Sequence, residues 1–496
     1  MCIRDRDNAK ANFIFQMLYQ IVTLAIPLII APHLTRTLGD SSLGIYTYTY
    51  SIVYCFMSIA RLGIDKYGQR MIASVRDNEL KLRLTFWSLY VVHIFFTLVA
   101  LILYLSFVLL FTEKYFFIYL IQGTALFGVV FDITWFFYGI ENFKFVVLEN
   151  LCVKISELIL IFVFVRTKND LGIYTFIMAL STCLGYLVIL PQVIRHIKPI
   201  RFGWNDVRHH IKPLCVLFVA VIATTIYQMI DKALLGYLST EENVAYYEYA
   251  NKIVNVPVNL VYVMGTVLMP RACAYAAKGD KANQIKYLNY SLHFVGFLGI
   301  GAAFGLLSVA NLFSIVYYGN EFSYCGGVII ALSPIIFILG IENIIRTQYM
   351  IPNHMDKQYT GCLLITAMLN LVFSMMLIPV TGIYGAVAGT IISELTCAII
   401  QVIICRSIIT LKKIIKISIP YAVSGFLMYC IISFIKLNYN SSIGHLLVQV
   451  AIGGIFYCIL SAGYLLLVSE IKESCNYELK KIICRTRAIL KRHKEN

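Results

Sequence analysis

The sequence predicts an all-α polytopic membrane protein of about fourteen transmembrane helices, two pseudo-symmetric six-helix bundles followed by two further helices. Three observations carry that prediction. First, 59% of the 496 residues are apolar and only 14% are charged, against about 25% charged in an average soluble chain. The mean hydropathy of +0.78 leaves too little polar side chain to coat a globule of this length in water. Second, apolar runs of roughly 20 residues recur along the chain, the length a helix needs to cross hydrocarbon with every backbone group satisfied internally. Third, a segment in the first half reappears, in register, in the second. This composition excludes a cytosolic enzyme, a disordered chain and a disulfide scaffold.

The expected spans are 12–34, 43–63, 84–111, 115–139, 145–165, 171–194, 213–238, 244–269, 287–313, 326–350, 359–379, 382–405, 416–435 and 444–468. Only Thr112, Glu113 and Lys114 separate the third from the fourth. The first run is too long for a signal peptide and lacks a small-residue cleavage site, so it is expected to be retained. Residues 1–11 form a cytoplasmic N-terminus, 12–194 the first bundle, 195–212 a basic cytoplasmic linker and 213–405 the second bundle. The two extra helices take 406–468, and 469–496 make a basic cytoplasmic tail.

Charge tests this count independently, because Lys and Arg are retained on the cytoplasmic side. With the N-terminus inside, thirty-one of the 41 basic residues fall in inner segments and five in outer loops: Arg36, Lys114, Arg166, Lys168 and Lys436. An error of one span would scramble that asymmetry. Most of the net charge of +15 is therefore topology, and the tail reads as a lipid-headgroup-facing helix rather than a nucleic-acid patch.

The repeat aligns Gly44-Ile-Tyr-Thr-Tyr-Thr-Tyr-Ser-Ile-Val53 with Ala245-Tyr-Tyr-Glu-Tyr-Ala-Asn-Lys-Ile-Val254. Tyr46, Tyr48, Ile52 and Val53 match Tyr247, Tyr249, Ile253 and Val254. Six spans lie between the two segments, and an even number preserves orientation, so the bundles are expected to be related by an axis along the membrane normal.

Chemistry-bearing motifs are missing. There is no G-x-x-x-x-G-K-[ST] cradle for a nucleotide, so the chain carries no ATPase of its own. Gly301/Gly305 and Gly385/Gly389 stand at the four-residue spacing that lets membrane helices approach closely. The 14 cysteines form no C-x-x-C pair and read as small packing residues, with no metal-ligand spacing to the histidines. Asp5-x-Asp7 matches a glycosyltransferase metal motif only as a string, because no nucleotide-binding domain surrounds it.

The informative residues are the ionisable ones at membrane depth, where each costs at least about 2.5–3.5 kcal/mol unless it faces a polar interior. Lys154 and Glu157, Glu248 and Lys252, and Glu342 and Arg346 are spaced to form intrahelical pairs. Their bland role is mutual neutralisation, and their sharper one is a cationic lumen for an anionic substrate. Asp231 beside Lys232, and Asp132, read in the same way. Arg36 and Arg61 stand near span ends, where snorkelling is the simpler account. Glu248, Asn251, Lys252, Asn255 and Asn259 form a polar stripe along the eighth span, which cannot face lipid, and Pro257 interrupts it with a potential kink. Glu394, near the middle of its span with no charged neighbour on its helix, is either a neutral buried acid or a titrating site that couples H+ or Na+ to transport.

The stretch Ile26-Pro-Leu-Ile-Ile-Ala-Pro-His-Leu-Thr-Arg36-Thr-Leu-Gly39, with Leu43-Gly-Ile-Tyr46 and Leu62-Gly-Ile-Asp-Lys-Tyr-Gly68, resembles the start of Wzx-type polysaccharide flippases. These belong to the multidrug/oligosaccharidyl-lipid/polysaccharide (MOP) exporter superfamily. Ile230-Asp-Lys-Ala-Leu-Leu-Gly236, Tyr246-Tyr-Glu-Tyr-Ala-Asn-Lys-Ile253 and Leu268-Met-Pro-Arg271 follow in the family's order, so the resemblance extends over nearly the whole chain. It implies two six-helix bundles working by alternating access. It implies, too, a substrate of undecaprenyl diphosphate carrying one glycan repeat unit of an O-antigen, lipopolysaccharide or capsule. That lipid would move from the inner to the outer leaflet of a bacterial cytoplasmic membrane, with no cofactor and no nucleic acid, and with membrane lipids and a polysaccharide polymerase or chain-length protein as partners.

On this reading Lys154, Lys232, Lys252 and Arg346, with Asn251 and Asn255, contact the substrate, while Glu394, with Asp231 or Glu248, couples an ion. Arg36, Arg61, Glu157, Asp132 and Glu342 are further candidates. A drug/cation antiporter of the same superfamily is the alternative, and five cations within spans count against it. A membrane glycan polymerase or ligase is third, disfavoured by short outer loops.

Overall fold

The computed structural model describes residues 22–435 and 443–467. The N-terminal segment 1–21, with Asp5 and Asp7, the loop around Lys436 and the basic tail lie outside the described residues. Every described element is helical. In chain order these are α1 (Val22–Thr37), α2 (Gly39–Arg61), α3 (Ile64–Val75), α4 (Glu79–Phe111), α5 (Phe116–Gly128), α6 (Thr134–Gly139), α7 (Phe143–Phe164), α8 (Leu171–His196) and α9 (Trp204–Leu238). The order continues with α10 (Glu241–Ala277), α11 (Lys281–Val295), α12 (Gly301–Phe313), α13 (Cys325–Leu332), α14 (Ile335–Ile345), α15 (Asp356–Thr381), α16 (Ile383–Ile404), α17 (Leu411–Ile435) and α18 (Ile443–Leu467).

Among the described residues, twelve helical spans are long and apolar enough to cross a membrane. The other two expected spans coincide with α1, which enters the described region at Val22, and with α7, which carries Glu149, Lys154 and Glu157. The expected third and fourth spans stay separate. Thr112 closes α4 by bonding its hydroxyl to the Val108 carbonyl at 2.7 Å, and α5 starts afresh at Phe116. Helices run past the expected ends on the basic side: α9 begins at Trp204, so part of the 195–212 segment is helical, and α10 continues through Pro257 and Pro270 to Ala277.

Burial is inverted relative to a soluble protein, as lipid solvation requires. Large apolar side chains such as Leu109, Leu110, Phe117 and Phe434 are exposed, whereas Thr49, Ser51, Gln122, Asn370 and Ser393 are buried. Buried hydroxyls of this kind bond back to their own helices, as Thr49 does to Ile45 O at 2.8 Å.

The chain divides into two compact units. The first holds described residues 22–252 with Tyr317–Val328 and Thr360–Ser393. In it α2 packs on α4, α5 and α9, and α8 packs on α5 and α7. Val53, Met57, Ala100, Tyr104 and Leu126 form one of its cores. Close approach depends on missing side chains: a Cβ on Gly44 would stand 1.8 Å from the Glu241 carbonyl oxygen. Gly39 is needed twice over, for its φ of +77° at the turn into α2 and because a Cβ there would meet Glu321 Oε2 at 2.7 Å. The expectation for Gly385 and Gly389 holds, since their Cβ atoms would strike Leu377 and Ser374.

The second unit takes Ile253–Val316, Ile329–Tyr359 and the chain from Glu394 onward. Here α17 packs against α12 and α18, around Val309, Met428, Ile432 and Tyr457. Gly301 faces the Tyr457 ring, but Gly305 meets nothing within 4 Å, so it has no close packing partner. The π-helical turns Gly296–Ile300 and Arg346–Met350 also belong to this unit.

Candidate functional site

In the first unit, α2 ends where Leu62 and Gly63 both enter the left-handed region, with φ of 46° and 75°. The break places Arg61 in the last turn, where the helix dipole favours a cation. Its Nη2 lies 3.3 Å from Asp132 Oδ2 and donates to the Tyr186 hydroxyl at 2.6 Å. Arg61 therefore turns inward rather than snorkelling, because Asp132, only 3% exposed, offers it a buried counter-charge. Thr134 completes the carboxylate by donating its hydroxyl to Asp132 Oδ1 at 2.7 Å.

Lys154 and Glu157 pair as expected along α7, at 2.7 Å. The expected pairing at Lys232 needs correction. Its Nζ reaches across from α9 to Glu248 Oε2 on α10 at 2.6 Å, while Lys252 approaches the other oxygen of Glu248 at 3.7 Å. One carboxylate thus holds two ammonium groups, leaving a local surplus of one positive charge. Adjacent residues on a helix point about 100° apart, so Asp231 cannot share the partner of Lys232. Lys252 also lies 4.1 Å from the centroid of the Tyr249 ring.

Asp231 stands elsewhere, 5% exposed, and its hydrogen-bond partners among the described residues are all neutral. Its Oδ2 accepts from Tyr247 at 2.8 Å and Thr390 at 2.9 Å, and more weakly from Asn370 Nδ2 at 3.4 Å. Its Oδ1 accepts from Ser374 at 2.9 Å. Four helices, α9, α10, α15 and α16, converge there, and the missing Cβ of Gly389 lets Thr390 come within reach. The side-chain oxygen of Asn370 is buried and has no hydrogen-bond partner. Asn251 stands one turn after Tyr247 on α10.

Glu149 was not foreseen. It is buried on α7, accepts from Asn150 Nδ2 at 2.9 Å and lies against Gly185, where a Cβ would stand 2.8 Å from its Oε1. A second carboxyl group inside the span that holds Lys154 and Glu157 was visible in the sequence, and the absence of a basic residue three or four positions away was the signal to separate it from them. Arg36 is exposed at the end of α1, with Nη2 3.5 Å from the Tyr317 carbonyl.

In the second unit, Glu394 is buried at 3% exposure, and its carboxylate, the Glu342 carboxylate and the Cys397 thiol offer atoms within 4.8 Å of one another. Gln401 donates to Cys397 Sγ at 3.4 Å. The expected Glu342–Arg346 ion pair does not form. A π-helical turn begins at Arg346, and its Nη1 bonds the Tyr359 hydroxyl at 3.0 Å instead. Asn255 belongs to this unit and is exposed.

These features define a multi-pass α-helical membrane protein with a polar, ion-paired interior. Residues 9–275, more than half of the sequence, match the Polysaccharide biosynthesis protein family, and the chain belongs to it. A curated relative from Escherichia coli (strain K12) named "Putative O-antigen transporter" is 23% identical over 388 residues, 77% of this chain and 92% of that protein. A protein of the same name from Shigella dysenteriae is 21% identical, covering 78% and 97%. Among solved structures, the lipid II flippase MurJ in an inward closed conformation superposes with a TM-score of 0.67 at 16% identity, over 92% of this chain and 98% of MurJ. An inward-facing multidrug MATE transporter of the MOP superfamily gives 0.60 at 12% identity, over 80% and 95%. The fold is that of these transporters.

Proposed function

We propose that this protein is a flippase that carries a polyprenyl-diphosphate-linked glycan repeat unit from the inner to the outer leaflet of a bacterial cytoplasmic membrane. The observation that carries the reading is the shared Glu248 carboxylate, which holds Lys232 and Lys252 in one place with a surplus positive charge. Such a cluster at membrane depth suits a diphosphate, while the polyprenyl tail stays in lipid. Transport, rather than catalysis, fits the two relatives named as O-antigen transporters and the lipid II flippase fold. The two six-helix bundles over 12–194 and 213–405, both termini in the cytoplasm, and alternating access belong to the same proposal. Lys154 and Asn251 of the first unit, and separately Arg346 and Asn255 of the second, are the further substrate-contacting residues of this proposal.

Coupling to an ion is assigned first to Asp231. An oxygen-only set of one carboxylate, the Tyr247, Thr390 and Ser374 hydroxyls and the unengaged Asn370 carbonyl suits Na+, and a lone buried acid suits H+. Glu394, beside Glu342, is the second candidate, whereas Glu248 serves its two lysines.

Deleting the gene and analysing lipids by mass spectrometry tests the proposal. An unpolymerised lipid-linked repeat unit should accumulate and be cleared by the wild-type chain. Normal surface glycan with altered sensitivity to cationic drugs would instead favour an antiporter.

A further inference from the structure

Tyr46, Tyr50 and Tyr54 stand on successive turns of α2. Their ring centroids are separated by 5.7 Å and 6.0 Å, and Tyr174 of α8 adds a fourth ring 4.7 Å from Tyr46. At 1.5 Å per residue the strip is about 12 Å long along α2. Arg61, bonded to Tyr186, follows on the same face two turns later. Glu157 and Glu248, each already bound to a lysine, are close enough to interact electrostatically with Tyr46 and Tyr50. The strip and the paired charges therefore form one neighbourhood of the first unit.

Ordinary core packing does not explain these rings. A phenol held for packing usually finds a partner for its hydroxyl. Tyr318 donates to the Tyr249 carbonyl and Tyr247 to Asp231. Among the described residues, the hydroxyls of Tyr46, Tyr50, Tyr54 and Tyr174 make no hydrogen bond to protein. Tyr46, Tyr50 and Tyr54 are all half-buried. Lipid contact does not explain them either, since hydrocarbon leaves a hydroxyl unsatisfied and the large apolar side chains exposed on this chain are mostly Leu, Ile, Val and Phe.

We propose that Tyr46, Tyr50, Tyr54 and Tyr174 form a stacking track for the sugar rings of the substrate. A pyranose presents a C–H face and a hydroxyl rim. The electron-rich face of tyrosine meets the C–H groups, and its hydroxyl both donates to and accepts from the rim. Stacking tolerates many sugars, so the track supplies affinity for glycan without dictating its identity. A polyprenyl chain has no use for four free hydroxyls. A cationic drug would want a carboxylate not already taken by lysine. The inference rests on the lipid-linked glycan reading above.

The test uses the full chain in lipid nanodiscs and two probes: undecaprenyl diphosphate, and the lipid-linked repeat unit purified from the deletion strain. Tyr50→Leu and Tyr54→Leu should each weaken the glycan-bearing probe roughly three- to tenfold and leave undecaprenyl diphosphate unchanged. Tyr50→Phe and Tyr54→Phe, which keep the ring and the packing, should weaken only the glycan-bearing probe, by about threefold. They decide the matter should a leucine variant fail to reach the membrane. Equal loss for both probes, or no loss for either, would overturn the track while leaving the flippase reading in place. A wild-type chain that binds neither probe would overturn both.

Discussion

The ammonium of Lys232 lies 2.6 Å from the carboxylate of Glu248 on the neighbouring helix, and its chain neighbour Asp231 is left among neutral donors. Two adjacent residues of opposite charge thus serve two different sites. Glu248 is engaged by two ammonium groups, and Asp231 by hydroxyls and an amide.

Replacing Glu248 by Gln should leave Lys232 and Lys252 facing each other without a counter-charge. The three side chains are 17–30% exposed, so the penalty is expected at about 1–3 kcal/mol rather than that of a fully buried pair. Thermal unfolding in detergent should show the loss. Lys232→Met combined with Glu248→Met should recover most of the stability and none of the export, because it removes the charges along with the penalty.

Asp231→Asn should separate transport from its driving ion. Wild-type export in vesicles is expected to rise with an imposed Na+ or H+ gradient, and the gradient that matters identifies the ion. The variant should fold, since the single amide oxygen can still accept from Tyr247 and Thr390 while the amide NH2 donates to the Ser374 hydroxyl oxygen, yet its export should lose that dependence. Unchanged dependence in Asp231→Asn and its loss in Glu394→Gln would move the coupling site to the second unit.

Arg61→Leu should cost about 3–5 kcal/mol, because it strands Asp132 as an uncompensated buried charge. Arg61→Leu combined with Asp132→Leu should cost less than the single change. A double-mutant cycle on thermal or denaturant stability measures the difference.

Gly44→Ala should destabilise the first unit by about 1–3 kcal/mol, since its Cβ would fall 1.8 Å from the Glu241 carbonyl oxygen and backbone must move. Gly172→Ala, where nothing lies within 4 Å, should be neutral or slightly stabilising in a helix. The pair controls for helix propensity in the same melting experiment.

The twelve long apolar spans found among the described residues, the absence of strands there and the burial of acids such as Glu157 and Glu394 were all legible in the sequence. Each follows from a one-dimensional fact: run length against bilayer thickness, or the cost of a charge in hydrocarbon. Lys154 and Glu157 were legible as a pair for the same reason, three residues on one helix being neighbours whatever surrounds them. The Polysaccharide biosynthesis family was legible as well, through the motifs around Pro27, Arg36 and Gly68.

Other partners were decided by tertiary structure alone. Arg61 near a span end has two physically sound fates, the headgroup region or a buried acid. Only the placement of Asp132 on another helix chooses between them. Asn370, Ser374 and Thr390 carry no charge and attract no notice until α15 and α16 bring them to Asp231, and Glu342 and Glu394 meet from helices about fifty residues apart. Local sequence determines which groups a helix presents and how they are spaced along it. Which helix faces which is set by packing of the whole, through small residues such as Gly44 and Gly389, and that decides which charge each one meets.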